Sequence, residues 1–206
     1  NGVCIPIACD LSSSIGIDYF VKMIHEKEKA IDFLINNAGA AWGQPYDEFS
    51  EVGWDKVMDL NVKSLFFLTQ KLTKILKVRA SGDDPSRVIN IGSIDGLNVP
   101  AFETYSYSTS KAAVHHLTRV MAAKLVKENI LVNAIAPGPY PSQMLGSAVD
   151  HDYSETARKN PRSRVGLPED IAGLAIFLCS QAGSYIVGET IASDGGIVKT
   201  AGHNLG

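Results

Sequence analysis

The sequence predicts an α/β fold: a doubly wound parallel sheet covered by helices on both faces. Three observations predict it. Apolar runs of strand length recur at 3–9, 31–35, 87–93 and 130–138, and they are continuous rather than alternating, as strands buried on both faces are. Longer stretches with apolar residues at helical spacing separate them, so strand and helix alternate along the chain. Each run ends in small or polar residues: Asp10-Leu11, Asn36-Asn37-Ala38-Gly39, Ser93 and Pro137-Gly138. In a parallel sheet those ends share one edge, outside which ligands bind.

Taken in order, 3–9 reads as a buried strand of Val, Ile and Cys. Ser12 to Ser14 offer cap oxygens for a helix over 15–29 carrying Ile17, Phe20, Val21 and Ile24. The second strand, 31–35, leads into a loop, then a long helical stretch from Glu51 to Arg79. Leu65, Phe66, Leu68, Leu72, Ile75 and Leu76 give this stretch an apolar surface wider than one stripe, predicting contact with a symmetry mate in a homodimer or homotetramer. A polar turn over 80–87 precedes the third strand, ending at Ser93, and a helix containing Tyr107 follows. The fourth strand ends at Pro137-Gly138. Residues 139–166, with Pro139, Pro141 and Pro161, read as a mobile lid. Pro168-Glu169-Asp170 opens another helix, and 189–194 is a last strand.

Composition bounds the rest. The length fits one domain, 1–206. A net charge of −3 gives no argument for nucleic acid or an anionic membrane surface, and no apolar run reaches spanning length. The three cysteines (Cys4, Cys9 and Cys179) are odd in number and lack metal-ligand spacing, so they read as free thiols in the cytoplasm. His115 and His116 are adjacent and point to different sides of a helix. No metal site is expected.

The chemistry centres on Tyr107 and Lys111, four residues apart and therefore on one helix face. A phenol, with an ordinary pKa of about 10, is a poor acid or base at neutral pH. An ammonium one turn away favours the phenolate, and Ser93 offers a hydroxyl to an oxygen whose charge changes. This is machinery for moving a proton on and off a carbonyl or alcohol oxygen. Tyr105 is a decoy, because its fourth neighbour is Thr109.

Asp10-Leu11, Asn36 to Gly39, Asn61 in DLNVKS, Ser93 in NIGS, Tyr107 to Lys111, and Pro137-Gly138 together resemble the short-chain dehydrogenase/reductase family, in family order over nearly the whole chain. The resemblance is closest to 3-oxoacyl-carrier-protein reductases of the rhamnolipid-synthesis type, through GWDKVMDLNV, SRVINIGS and NAIAPGPYPSQM. It implies a Rossmann-like sheet and a nicotinamide cofactor, NADP with NAD as the open alternative. It implies that Tyr107 is the acid in reduction and the base in oxidation, and that Lys111 lowers its pKa and holds the nicotinamide ribose. Ser93 would bind the substrate oxygen, and Asn61 a water linking Lys111 to solvent. Asp10 and Leu11 would flank the adenine. Asn37, Ala38, Gly39, Pro137 and Gly138 would line the cofactor cleft, with Tyr140 and Ser142 at the carboxamide. The implied reaction is reduction of a 3-oxoacyl thioester, with an acyl-carrier protein as candidate bearer near Lys71, Lys74, Lys77 and Arg79. The alternatives are another secondary-alcohol dehydrogenase (polyol or steroid) and a non-catalytic nucleotide-binding subunit. The family's Gly-rich turn TGxxxGIG has no counterpart here, so the sequence is expected to lack an N-terminal segment of ~60 residues carrying the family's first two strands.

Overall fold

A computed structural model describes residues 2–201. Helix α1 spans Ser14–Lys27 and strand β1 Phe33–Asn36. Helix α2 (Glu51–Met58) runs through a single π turn, Asp59–Lys63, into α3 (Ser64–Leu76). Strand β2 is Ser86–Ile91, helix α4 Tyr105–Leu125, and strand β3 Ile130–Pro137. The short helices α5 (Gln143–Ala148) and α6 (Ser154–Lys159) precede α7 (Pro168–Cys179), strand β4 (Thr190–Ser193) and α8 (Ile197–Thr200). The four strands form one parallel sheet in the order β1-β2-β3-β4.

Neighbouring residues of a strand face opposite sides, and the two cores follow that rule. Val88, Ile130 and Val132 pack with α1, α3 and α4 through Ile17, Leu68, Leu72 and Val114. Ile89 and Ile135 face the other way, against Leu174 and Leu178 of α7. The continuous apolar runs of the sequence are thus two interleaved faces, each with its own helical layer.

Caps set the helix starts. Ser13 Oγ accepts the Gly16 N–H at 3.1 Å, and Ser50 Oγ accepts that of Gly53 at 3.2 Å, each relieving a first-turn donor. Asn129, at φ 57°, takes the left-handed turn that ends the extension of α4, a conformation asparagine tolerates.

Four expectations need correction. Residues 3–9 are not a strand: they lie outside the sheet, with Val3 89% exposed, because a strand needs a hydrogen-bonding neighbour and β1 pairs only with β2. The broad apolar surface of 62–78 is mostly used within the subunit: Leu65, Leu68, Leu72, Ile75 and Leu76 are buried. The partly buried Phe66 and the exposed Phe67 line a shallow groove with Met58, Val62 and Leu117, and Val78 is exposed at the end of the stretch. The basic cluster beside it is largely neutralised, since Lys71 pairs with Asp18, Lys77 with Glu128 and Arg79 with Asp32. Finally, 139–166 is a tethered flap rather than a free lid. The Gly166 N–H donates to Pro139 O at 2.9 Å, the Asn160 amide donates to Asp194 O at 3.0 Å, and Arg164 forks onto Asp170.

Among the described residues no helix is long and apolar enough to cross a membrane. None of their His, Cys, Asp and Glu side chains group as metal ligands, and Cys4, Cys9 and Cys179 are free.

Candidate active site

The C-terminal end of β2 and the first turns of α4 build the site. Ile91 is the last paired residue of β2, and Ser93 leaves the strand still extended, at φ −166°. Its hydroxyl accepts the Asp95 N–H at 3.1 Å, which closes the turn and leaves the hydroxyl proton free to donate. Tyr107, Lys111 and His115 lie at four-residue intervals on α4. Lys111 is 5% exposed and donates to Ile91 O at 2.9 Å. Its Nζ lies 5.5 Å from the centroid of the Tyr107 ring.

The ionisation differs from the sequence expectation. Burial pushes the Tyr107 phenol up from its ordinary value, with Ser93 acting downward and the Asp95 charge upward. Burial also pushes Lys111 down to about 8. Spacing along a helix places an ammonium beside the phenol, but desolvation acts on both groups and disfavours both charges. In the protein alone, Tyr107 is a neutral acid.

Asn61 sits in the π turn, a distortion that recurs at functional sites. It is 2% exposed, and its side chain is fully engaged. Oδ1 accepts the Ala40 N–H at 2.8 Å, and Nδ2 donates to Ala40 O at 3.0 Å and to Ser110 Oγ at 2.9 Å. Ser110 in turn donates to the Tyr107 carbonyl at 2.7 Å. The amide therefore braces the loop after β1 against the helix that carries Tyr107, and a water on this residue would meet its backbone, not its side chain. A Cβ on Gly39 would lie 3.2 Å from Asn61 Oδ1 and 3.6 Å from Lys111 Nζ, so the Asn37-Ala38-Gly39 backbone passes directly beside the ammonium. Asn37, Ala38 and Gly39 are themselves exposed, open to a ligand lying over the strand ends.

The other anticipated residues stand apart. Asp10 and Leu11 lead into α1, where the Asp10 carboxylate accepts the Ser12 N–H and hydroxyl; these bonds, the hydroxyl first, hold it below its usual range. Pro137 ends β3. Gly138 donates to Ser193 O at 2.9 Å, and a Cβ there would come within 2.7 Å of Asp194 Cα, so only glycine lets the two strand ends approach. Tyr140 shares a 2.6 Å hydrogen bond with Ser193, and Ser142 caps α5 by accepting the Leu145 N–H at 3.1 Å. The Tyr140 hydroxyl is thus engaged with Ser193, whereas Ser142, accepting only, keeps its hydroxyl proton free to donate. Tyr105, the decoy, packs edge-on against Tyr46 and Phe49 and donates to Glu103.

Sequence reasoning passed over Ser110, Asp95 and His115, and over a buried amide chain behind the site. Asn36 donates to Thr69 and to Asn90, and Asn90 to Thr118, at 2.8–3.0 Å. Asn90, 0% exposed inside an apolar strand, is the signal that was available: a buried amide requires partners on neighbouring elements.

A parallel sheet that converges a serine, a tyrosine and a lysine hydroxyl–ammonium set at its strand ends defines an α/β oxidoreductase acting at an oxygen-bearing carbon. A family model described as enoyl-(acyl carrier protein) reductase matches residues 1–198. The rhamnolipids biosynthesis 3-oxoacyl-[acyl-carrier-protein] reductase of Pseudomonas aeruginosa is 42% identical over 197 residues, 95% of this chain and 77% of that protein. A 2-dehydro-3-deoxy-D-gluconate 5-dehydrogenase of Dickeya dadantii is 38% identical, over 93% of this chain and 75% of that protein. Among solved structures, a Pseudomonas aeruginosa RhlG/NADP active-site complex superposes with a TM-score of 0.89 at 41% identity, covering 93% of this chain and 76% of that one. A Burkholderia cenocepacia gluconate 5-dehydrogenase in complex with NADP and tartrate gives 0.82 at 29% identity, covering 91% and 72%. The chain belongs to the short-chain dehydrogenase/reductase family and is an NAD(P)-dependent oxidoreductase.

Proposed function

We propose that this protein reduces a 3-oxoacyl thioester to its 3-hydroxyacyl form with NADPH. The observation that carries this reading is the neutral Tyr107 phenol beside the Ser93 hydroxyl: a protonated acid and a hydrogen-bond donor suit a carbonyl oxygen that gains negative charge. NADPH, when bound, supplies the hydride to the carbonyl carbon. Tyr107 gives its proton to the oxygen while Ser93 donates a hydrogen bond to the same atom. Lys111 spends one N–H on Ile91, leaving two for ribose hydroxyls and for returning a proton to Tyr107. Gly39 admits the cofactor close to Lys111, with Asn37 and Ala38 beside it and Pro137 and Gly138 across the cleft. Asp10 and Leu11 are assigned to the adenine end, and Tyr140 and Ser142 to the carboxamide end.

A second reading, oxidation or reduction of a sugar acid, is favoured by the gluconate-acting relatives. One feature weighs for the acyl substrate: the flap carries Met144, Leu145, Val149 and Tyr153, side chains that suit an adaptable apolar wall. The groove around Phe66 and Phe67 is assigned to a second copy, making at least a dimer, with the cytoplasm as its place. Acyl-carrier docking on α3 loses its basis in charge, because three of the four cations there are paired.

The deciding experiment compares kcat/KM of the full-length enzyme for 3-oxoacyl thioesters of increasing length with that for 5-keto sugar acids and for polyols in the oxidative direction. Each further buried methylene is worth up to about 0.8 kcal/mol, so activity should climb with acyl length. A flat series, or preference for the sugar acid, defeats the acyl assignment.

A further inference from the structure

We propose that His115 is a positioning residue: its Nε2 holds the Ser93 backbone and thereby aims the Ser93 hydroxyl. Ser93 lies two residues beyond the last paired residue of β2, so its N–H has no partner in the sheet, yet the residue is only 7% exposed. That N–H donates to His115 Nε2 at 3.4 Å. Without this acceptor the donor would be buried and unpaired, and the backbone at Ser93 would have to shift to satisfy it.

The strand end is shaped around the ring. His115 is 3% exposed and lies in a slot between Gly92 and Gly96. A Cβ on Gly92 would overlap Nε2, and one on Gly96 would come within 2.6 Å of the α4 backbone at Lys111 and Ala112 and within 2.9 Å of Cε1. A side chain at Gly92 displaces the imidazole, and one at Gly96 pushes the turn off α4 as well as the ring.

The same helix grips the strand end twice. Lys111 Nζ holds Ile91 O, and one turn further on His115 holds the Ser93 N–H. Tyr107 projects from that helix one turn before Lys111. Two clips set two residues apart on the strand therefore fix where the Ser93 hydroxyl stands relative to the Tyr107 phenol.

This role requires a neutral ring with its proton on Nδ1, an atom that is buried without a hydrogen-bond partner among the described residues. Burial pushes His115 down to about 4, with the Gly96 backbone opposing and Lys111 and Arg119 reinforcing. A neutral ring accepting at Nε2 carries its proton on Nδ1. At 3.4 Å the bond is long, and the close packing of the ring against Gly92 helps it hold the strand end.

The inference rests on the role of Ser93 proposed above, and the experiment separates the two. In the full-length enzyme, His115→Met keeps the bulk and removes the acceptor, while His115→Gln restores an acceptor at similar reach. Misplacement of a reacting group by about 1 Å costs on the order of 10²-fold. A partial displacement of Ser93 should therefore lower kcat about tenfold in His115→Met, with cofactor affinity unchanged and much of the rate restored in His115→Gln. In a Ser93→Ala background, His115→Met should cost nothing further, because residues acting through one another are non-additive. Wild-type kcat in His115→Met, or the same fractional loss with and without Ser93, overturns the proposal. If the Met variant does not fold, ¹⁵N spectroscopy of the wild-type imidazole decides: an unprotonated Nε2 coupled to the Ser93 N–H supports it, and a protonated Nε2 overturns it. Undiminished kcat in Ser93→Ala alone would instead remove the site reading beneath it.

Discussion

Replacing Asn61 with alanine deletes three hydrogen bonds at once, and their geometry sets the expected cost. The Ala40 N–H and carbonyl lose their partners, and Ser110 Oγ loses a donor. Each buried polar group left unpaired costs about 1–3 kcal/mol. Ala40 is half-exposed, so its two groups fall at the low end, where water replaces part of the loss. Ser110 keeps its bond to Tyr107 O and loses less than a fully orphaned group. Alanine in a helical stretch returns roughly 0.5 kcal/mol of propensity. The net is a destabilisation of about 2–4 kcal/mol, which in a chain of this size lowers Tm by about 5–15 °C. Thermal unfolding followed by circular dichroism measures it directly. The effect should reach catalysis too, because Asn61 and Ser110 link the loop after β1 to the backbone of Tyr107. A Tm within about 2 °C of wild type would refute the reasoning, showing that Asn61 makes no net contribution to bracing α4.

Tyr107→Phe, which keeps the ring and removes the acid, should lower carbonyl reduction by ~10²–10⁴-fold while leaving NADPH binding nearly intact; steady-state NADPH oxidation and fluorescence titration check the two halves. Burial holds Lys111 at about 8 against an ordinary 10.5, so between those values the unfolded chain binds more protons and stability rises with pH. Lys111→Met should abolish this residue's contribution, read as a smaller upward slope of Tm with pH over that interval; identical slopes would contradict it. Phe67→Glu, on the outward side of α3, tests the proposed pairing through the groove it lines: light scattering should show a larger species for wild type and a monomer for the variant without a large change in Tm, and an equal mass for the two would contradict pairing there.

Local rules carried much of this molecule. Continuous apolar runs marked β2 and β3, because a strand buried on both faces has no polar side to show; the same pattern marked β1, although Phe33 and Ile35 there are about half exposed. The four-residue interval from Tyr107 to Lys111 placed them on one face of α4, since helix geometry alone decides that. The small and polar residues at the strand ends marked the edge where Gly39, Ser93 and Gly138 now stand. The run at 3–9 has strand composition, but a strand exists only through a neighbour, and none of the described residues pairs with it. Tertiary structure alone decided the rest. Whether Tyr107 is phenol or phenolate depends on desolvation, which no spacing reveals. The Asn61 side chain proved to be a brace because Ala40 and Ser110 arrive from other elements. His115, in sequence merely one of two adjacent histidines, acquires a partner only when α4 packs across the end of β2 and two glycines open a slot for its ring. Burial and hydrogen-bond partnership are properties of residues brought together from distant parts of the chain, and they enter only when the chain closes on itself.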